Sequence, residues 1–304
     1  MVLDSDTTSP VPPTTLYYSD KFILAKEGFD TTRKAGWIAD SLAKRPIPNV
    51  RIGTPSPVTE AEVLRVHSPA YLAALRTGEP LATATSSTLA WDSGTLTMAL
   101  HVCGGVLAAG KAALRDGVSG TLASGLHHAK RDRGAGFCTL NGLAIAAHTL
   151  ADVTHGHILI LDLDAHCGGG THSLIQAHPR LWQLDVSVSP YDDYQPGQRC
   201  VKEIVTEAKE YLKTVGRCLQ WAEAEWPEFA LCLYNAGMDV HQIGGLRGMD
   251  DFLITLREEM VFQWCRERGI PVAYAMAGGY TGGKMTRKRL VDLHRLTISA
   301  AATQ

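Results

Sequence analysis

Residues 157–171 read HILILDLDAHCGGGT, and this stretch decides the fold. The apolar run from Ile158 to Leu161 is too short for a helix and is interrupted by nothing polar, which describes a strand buried on both faces. It then passes into Asp162, Asp164 and His166 and on into three glycines. In open α/β sheets, ligands bind beyond the carboxyl ends of the strands, where this stretch puts its ionisable groups. Side chains at i, i+2 and i+4 of an extended backbone share one face, so Asp162, Asp164 and His166 are expected to point together. Three such groups side by side need a cation or a hydrogen-bond network. The alternative is a strand end fraying into solvent.

The same pattern recurs on both sides. SGTLASG (119–125), LWQLDVSV (181–188), FALCLYNAG (229–237) and PVAYAMAGG (271–279) are short apolar runs, mostly separated by helix-like stretches at 140–150, 201–224 and 249–268. Such alternation predicts βαβ units: one α/β domain with a mostly parallel sheet and helices on both faces. Nearer the N-terminus, Thr59 and Glu62 form a capping box ahead of 63–66, and Ser68-Pro69 opens a short helix that Gly78 ends. Residues 95–114 are apolar, rich in Ala and Gly, and long enough for a buried helix that turns at Asp116-Gly117. The first sixteen residues, rich in Pro, Thr and Ser, are expected to be a flexible leader to a domain spanning 17–304.

Composition narrows the partners. Among 304 residues, 29 Lys and Arg stand against 31 Asp and Glu, a formal net charge of −2, so nothing electrostatic favours nucleic acid or an anionic membrane. No run is expected to supply the apolar length of a membrane span, and the basic-then-apolar layout of a signal peptide is missing. Seven cysteines, odd in number and without a Cys-x-x-Cys pair, point to free thiols in a reducing compartment, with cytoplasm the default.

The strand ends gather further reactive residues. His127-His128 follow the first run, Asp239 follows CLYNAGM, and Tyr280 follows Gly278-Gly279. Each has a bland reading: incidental surface histidines, a helix N-cap, a tyrosine packed on its own turn. Each also has a chemical one. Asp239 with Asp164 and His166 makes the three protein ligands of a catalytic zinc site, whose fourth position stays open and whose bound water has a pKa near 7. An imidazole beside that water can carry its proton to a leaving amine, and Tyr280 can donate to a developing oxyanion.

The segments GLHHAKRDRGAGFC, LDLDAHCGGGT, LYNAGMD and AGGYT together resemble the zinc-dependent histone deacetylase superfamily, with its arginase/deacetylase fold. Their wording is similar to the class IV branch and its bacterial relatives. The resemblance implies an amidohydrolase acting on acyl-lysine, in protein or peptide, and a histone deacetylase-like catalytic domain over 17–304. It implies Zn2+ on Asp164, His166 and Asp239, His127 as electrostatic partner, His128 as general base and acid, and Tyr280 as the carbonyl polariser. Asp162 matches the carboxylate behind His127, on a strand that also lines a structural K+ site in family members. Gly136 and Phe137 match the wall of the acyl-lysine tunnel.

Some positions depart from the pattern. Gly169 stands where many members carry an Asp that orients the second histidine, and Cys167 replaces the usual His or Gln. Glu79 and Asp92 are candidates for a substrate-binding acid, and Arg33 for an inner-cavity arginine. Three other readings follow: an acetylpolyamine or other small acyl-amine hydrolase, a binuclear manganese ureohydrolase, and a degenerate deacylase serving as binder or scaffold. His241 counts against the ureohydrolase, which needs a second Asp there. Gly169 is the one support for the scaffold.

Overall fold

A computed structural model describes residues 13–26 and 29–303. Among the described residues, eight strands form a single sheet in the order β2-β1-β3-β8-β7-β4-β5-β6, and every pairing of these strands is parallel. The strands are β1 (Thr14–Tyr17), β2 (Val50–Gly53), β3 (Val118–Thr121), β4 (His157–Asp162), β5 (Leu181–Ser187), β6 (Cys200–Ile204), β7 (Phe229–Gly237) and β8 (Val272–Ala277). Among the described residues, ten α-helices connect and flank them: α1 (Lys34–Lys44), α2 (Glu60–Val63), α3 (Pro69–Thr77), α4 (Leu81–Ala84), α5 (Thr95–Asp116), α6 (Gly142–Ala151), α7 (Gly169–Ile175), α8 (Ala208–Glu225), α9 (Asp251–Glu267) and α10 (Arg287–Ala302).

Alternation along the central strands divides the core into two layers. Ile158, Ile160, Leu231 and Leu233 pack with α5 and α6, while Leu159, Leu161, Cys232 and Tyr234 pack with α8, α9 and α10. Both faces of the sheet are therefore covered, as parallel sheets require. The caps behave as the sequence predicts. Thr59 and Glu62 close a capping box on α2, Ser68 caps α3, and Gly78 ends it with φ 81°.

Three expectations are corrected. Thr14, Thr15 and Leu16, assigned to the flexible leader 1–16, belong to β1, because the sheet pairs them with β2 and β3; leader residues 1–12 lie outside the described residues. The stretch 201–224, expected to be wholly helical, begins as edge strand β6 against β5 before α8 starts at Ala208. The expectation that no segment has the length of a membrane span also fails. Helix α5, at 22 residues, is long and apolar enough to cross one by composition, but 67% of its apolar window is buried inside the fold. It is a core helix.

Candidate active site

Five neighbouring strands, β3, β8, β7, β4 and β5, deliver the site from their carboxyl ends. Strand β4 stops at Asp162, so Asp164 and His166 sit on the bend beyond it rather than continuing its alternation. Asp162, fully buried, turns to His127, whose Nδ1 donates to it over 2.7 Å. Asp164 and His166 turn to each other and to Asp239. His166 Nδ1 lies 3.1 Å from Asp164 Oδ1 and 3.2 Å from Asp239 Oδ2. The ligand atoms of the three residues all fall within 4.8 Å of one another, the one such cluster among the described residues.

Charge balance around that cluster calls for a cation. Asp164 and Asp239 are almost fully buried, and Asp239 Oδ2 has no aligned hydrogen-bond donor. Burial and the neighbouring Asp164 raise the Asp239 pKa. Burial lowers the pKa of His166, but Asp164 and Asp239 outweigh it and raise it to about 10. Two carboxylates on one imidazole nitrogen hold a positive charge between them, as a proton or as a metal ion. Gly278, with φ 51°, keeps the place open: a Cβ there would come within 2.1 Å of Asp239 Oδ1.

The tandem histidines differ sharply. Burial works against protonation of His127, yet Asp162 and Asp164 raise its pKa to about 10. His128 is lowered to about 4 by burial and by the charge on His127. Leu126, just before them, has φ 59°, a left-handed conformation that bulky residues rarely adopt. Asn141 holds this turn in place, donating through Nδ2 to the carbonyls of His127 (3.2 Å) and Ala129 (3.1 Å). His67 braces Asn141 from behind, accepting its backbone N–H at 2.9 Å.

His128, Phe137, His166, Tyr191, Asp239 and Tyr280 line a common cleft of about 550 Å³, with Gly136 beside Phe137. Phe137 packs on Phe29 at 4.2 Å between ring centroids, and Phe29 in turn lies 5.5 Å from Tyr280. Burial, then Asp239 and Asp164, raise the Tyr280 pKa and keep its hydroxyl protonated. Tyr191 stands edge-on to His128 at 5.0 Å and to His166 at 5.7 Å.

Several residues here escaped the sequence reading. Asp192, beyond β5, accepts from His128 Nδ1 at 3.1 Å. Asp185, buried on β5, has its pKa raised to about 7 by burial and by Asp162. Lys34, 2% exposed, donates to the Gly278 carbonyl, and burial lowers its pKa to about 8. Arg33, the expected inner-cavity arginine, instead binds the carbonyls of Ile23 and Ala25. Asp92 is taken up by the backbone N–H groups of Lys26 and Gly94, and Glu79 is exposed. His241 is bonded to Asp251 at 3.1 Å and supplies no ligand to a second ion.

The histone deacetylase domain model matches residues 29–294. Histone deacetylase 2 of Arabidopsis thaliana is 32% identical over 58% of this chain and 48% of its own length. An uncharacterised protein of Picosynechococcus is 31% identical over 71% of this chain and 74% of its own. A probable deacetylase of Methanothermobacter thermautotrophicus is 27% identical over 64% of this chain and 62% of its own. The chain thus spans about half of the plant relative. The crystal structure of the HDA15 HD domain superposes with a TM-score of 0.77 at 19% identity, covering 96% of this chain and 90% of that one, a likeness of fold. With the domain model spanning most of its length, the chain belongs to the histone deacetylase family.

Proposed function

We propose that this protein is a zinc-dependent amidohydrolase that removes the acyl group from acyl-lysine, nearest in kind to the class IV branch. The observation that carries the reading is one cleft in which Asp164, His166 and Asp239 converge beside His128 and Tyr280. Two carboxylates and an imidazole are donors suited to zinc, and Asp239 Oδ2, buried without an aligned hydrogen-bond donor and 3.2 Å from His166 Nδ1, fits a ligand atom. Zinc held there supplies Lewis-acid polarisation of an amide carbonyl and lowers the pKa of water.

The chain's own residues do the rest. His128, neutral, takes the proton of the attacking water on Nε2 and returns it to the leaving amine. His127, charged against Asp162, offsets negative charge as it builds up. The Tyr280 hydroxyl donates to the carbonyl oxygen as it becomes an oxyanion. Phe137 and Tyr191 give the cleft aromatic walls for the aliphatic stem of an acylated lysine. Asp162 accepts from His127, Asn235 and the Asp164 N–H, and the strand end it holds would line a structural potassium site partly through backbone carbonyls. All seven cysteines are free and buried, which supports a reducing, cytoplasmic setting.

The test is a panel of acetyl- to myristoyl-lysine peptides and acetylpolyamines, with and without a chelator. Hydrolysis of a lysine peptide that chelation abolishes and zinc restores is the expected result. Turnover of the polyamines alone would move the substrate to small acyl-amines. Chelator-insensitive turnover, or none at all, would overturn the reading.

A further inference from the structure

We propose that Asp192, on the loop after β5, is the positioning residue for His128, replacing the carboxylate that position 169 does not carry. The inference rests on the functional reading above, in which His128 carries the proton.

Position 169 and Asp192 compete for one space. A Cβ on Gly169 would lie 2.2 Å from the Asp192 carbonyl oxygen and 3.0 Å from its Oδ1. Glycine is therefore what allows the Asp192 loop to fold against the start of α7. The carboxylate it brings is 7% exposed and fully engaged. Oδ2 accepts from His128 Nδ1 at 3.1 Å and from the Gly170 N–H at 2.9 Å, while Oδ1 accepts from Lys130 Nζ at 2.7 Å. Asp192 has φ 58°, a left-handed conformation that aspartate tolerates better than most residues and that these three bonds hold.

The consequence for His128 is chemical. An ionised carboxylate only accepts, so the ring nitrogen facing it must carry the hydrogen. Nδ1 is then the donor and Nε2 the lone pair, the tautomer a proton acceptor needs. Tyr191, the preceding residue, stands at 87° to the His128 ring and limits its rotation. One loop thus fixes both tautomer and ring plane, and Lys130, two residues beyond His128, ties that loop to the histidine turn.

The test uses the full-length, zinc-loaded protein and the variants Asp192→Asn, Asp192→Ala and Lys130→Met. Loss of an orienting partner of this kind typically costs about 10–100-fold in activity. Asp192→Ala is expected to lower kcat in that range with KM and zinc content little changed, and Asp192→Asn and Lys130→Met to lose less. Nitrogen-15 NMR of labelled histidine gives a readout that needs no substrate. It should show the Nδ1–H tautomer at His128 in the wild type and its loss in Asp192→Ala. An unchanged tautomer, or wild-type kcat in both Asp192 variants, would overturn the assignment. If the wild type hydrolyses nothing in the panel, the functional reading fails, and the tautomer still decides the role of Asp192.

Discussion

His127 and His128 lie ring against ring, 3.9 Å between centroids, and their pKa values are pushed in opposite directions. The carboxylates of Asp162 and Asp164 overcome burial and raise the first to about 10, while burial and that neighbouring charge lower the second to about 4. At neutral pH one is a fixed cation and the other a proton acceptor. Neighbours pushed apart in this way mark an acid/base assignment. Removal of the acceptor should therefore cost more than removal of the cation. His128→Gln is expected to lower kcat by about 10²–10⁴-fold, and His127→Gln by less, in steady-state assays with zinc content checked. Equal losses would remove the distinction.

Tyr280 lines the same cleft, and burial beside Asp239 keeps its hydroxyl protonated. Tyr280→Phe removes one donor and little else. By comparison with other oxyanion donors, kcat should fall by about 10²–10³, or about 2.7–4 kcal/mol of barrier. Substrate binding, measured directly by calorimetry on a slow substrate, should change far less than kcat.

Metal content separates the deacylase from the binuclear alternative. With Asp164, His166 and Asp239 as the one three-ligand cluster among the described residues, and His241 bonded to Asp251, one zinc per chain is expected by elemental analysis. Asp239→Ala should bind none, and chelation should lower the Tm of the wild type, because an ion that binds only the folded state stabilises it. Two manganese ions per chain would reverse the assignment.

What the sequence revealed follows from how locally each feature is encoded. Strands β4, β7 and β8 are buried on both faces, so they read as unbroken apolar runs, and the order of their terminal residues could be read directly. Strand β6 is an edge strand carrying Lys202 and Glu203 and runs on toward α8, which made it look helical. Asp164 and His166 sit two positions apart, and short spacing is visible in a sequence. Asp192 meets His128 across 64 positions, Lys34 meets Gly278 across 244, and His67 meets Asn141 across 74. Such meetings are made by the fold, and no local pattern announces them.

The His67 pairing has a measurable pH signature. Its Nδ1 donates to the Lys130 carbonyl at 2.9 Å and its Nε2 accepts from the Asn141 N–H at 2.9 Å, so a second proton has nowhere to go. Burial accordingly lowers its pKa from the ordinary 6.5 to about 4. Between those values the unfolded chain binds a proton that the folded chain refuses, so stability rises with pH. The contribution is complete above pH 6.5 and is lost as pH falls toward 4, amounting to about 3 kcal/mol. Denaturant unfolding across that range should show this slope, and His67→Gln should reduce proton uptake on unfolding by about one. An unaltered uptake would mean that His67 is protonated in the native state.

Arg257 and Glu258 form an ion pair with both side chains wholly buried on α9. Arg257 Nη1 also donates to the carbonyls of Leu163 (3.1 Å) and Gly237 (2.7 Å), the backbone that leads into Asp164 and Asp239. Glu258 is further bonded by the Tyr234 hydroxyl at 3.1 Å. Cutting such a pair on one side leaves a charge buried without its partner, at a cost of about 3–5 kcal/mol. Arg257→Met should therefore destabilise the fold by that amount in denaturant titrations. Arg257→Met with Glu258→Gln should recover part of the loss, because no charge is stranded. Both variants free the Leu163 and Gly237 carbonyls, so both should bind zinc more weakly, whatever their difference in stability. A double variant that regained stability and kept wild-type zinc affinity would show that the pair supports the fold without steadying the ligand loops.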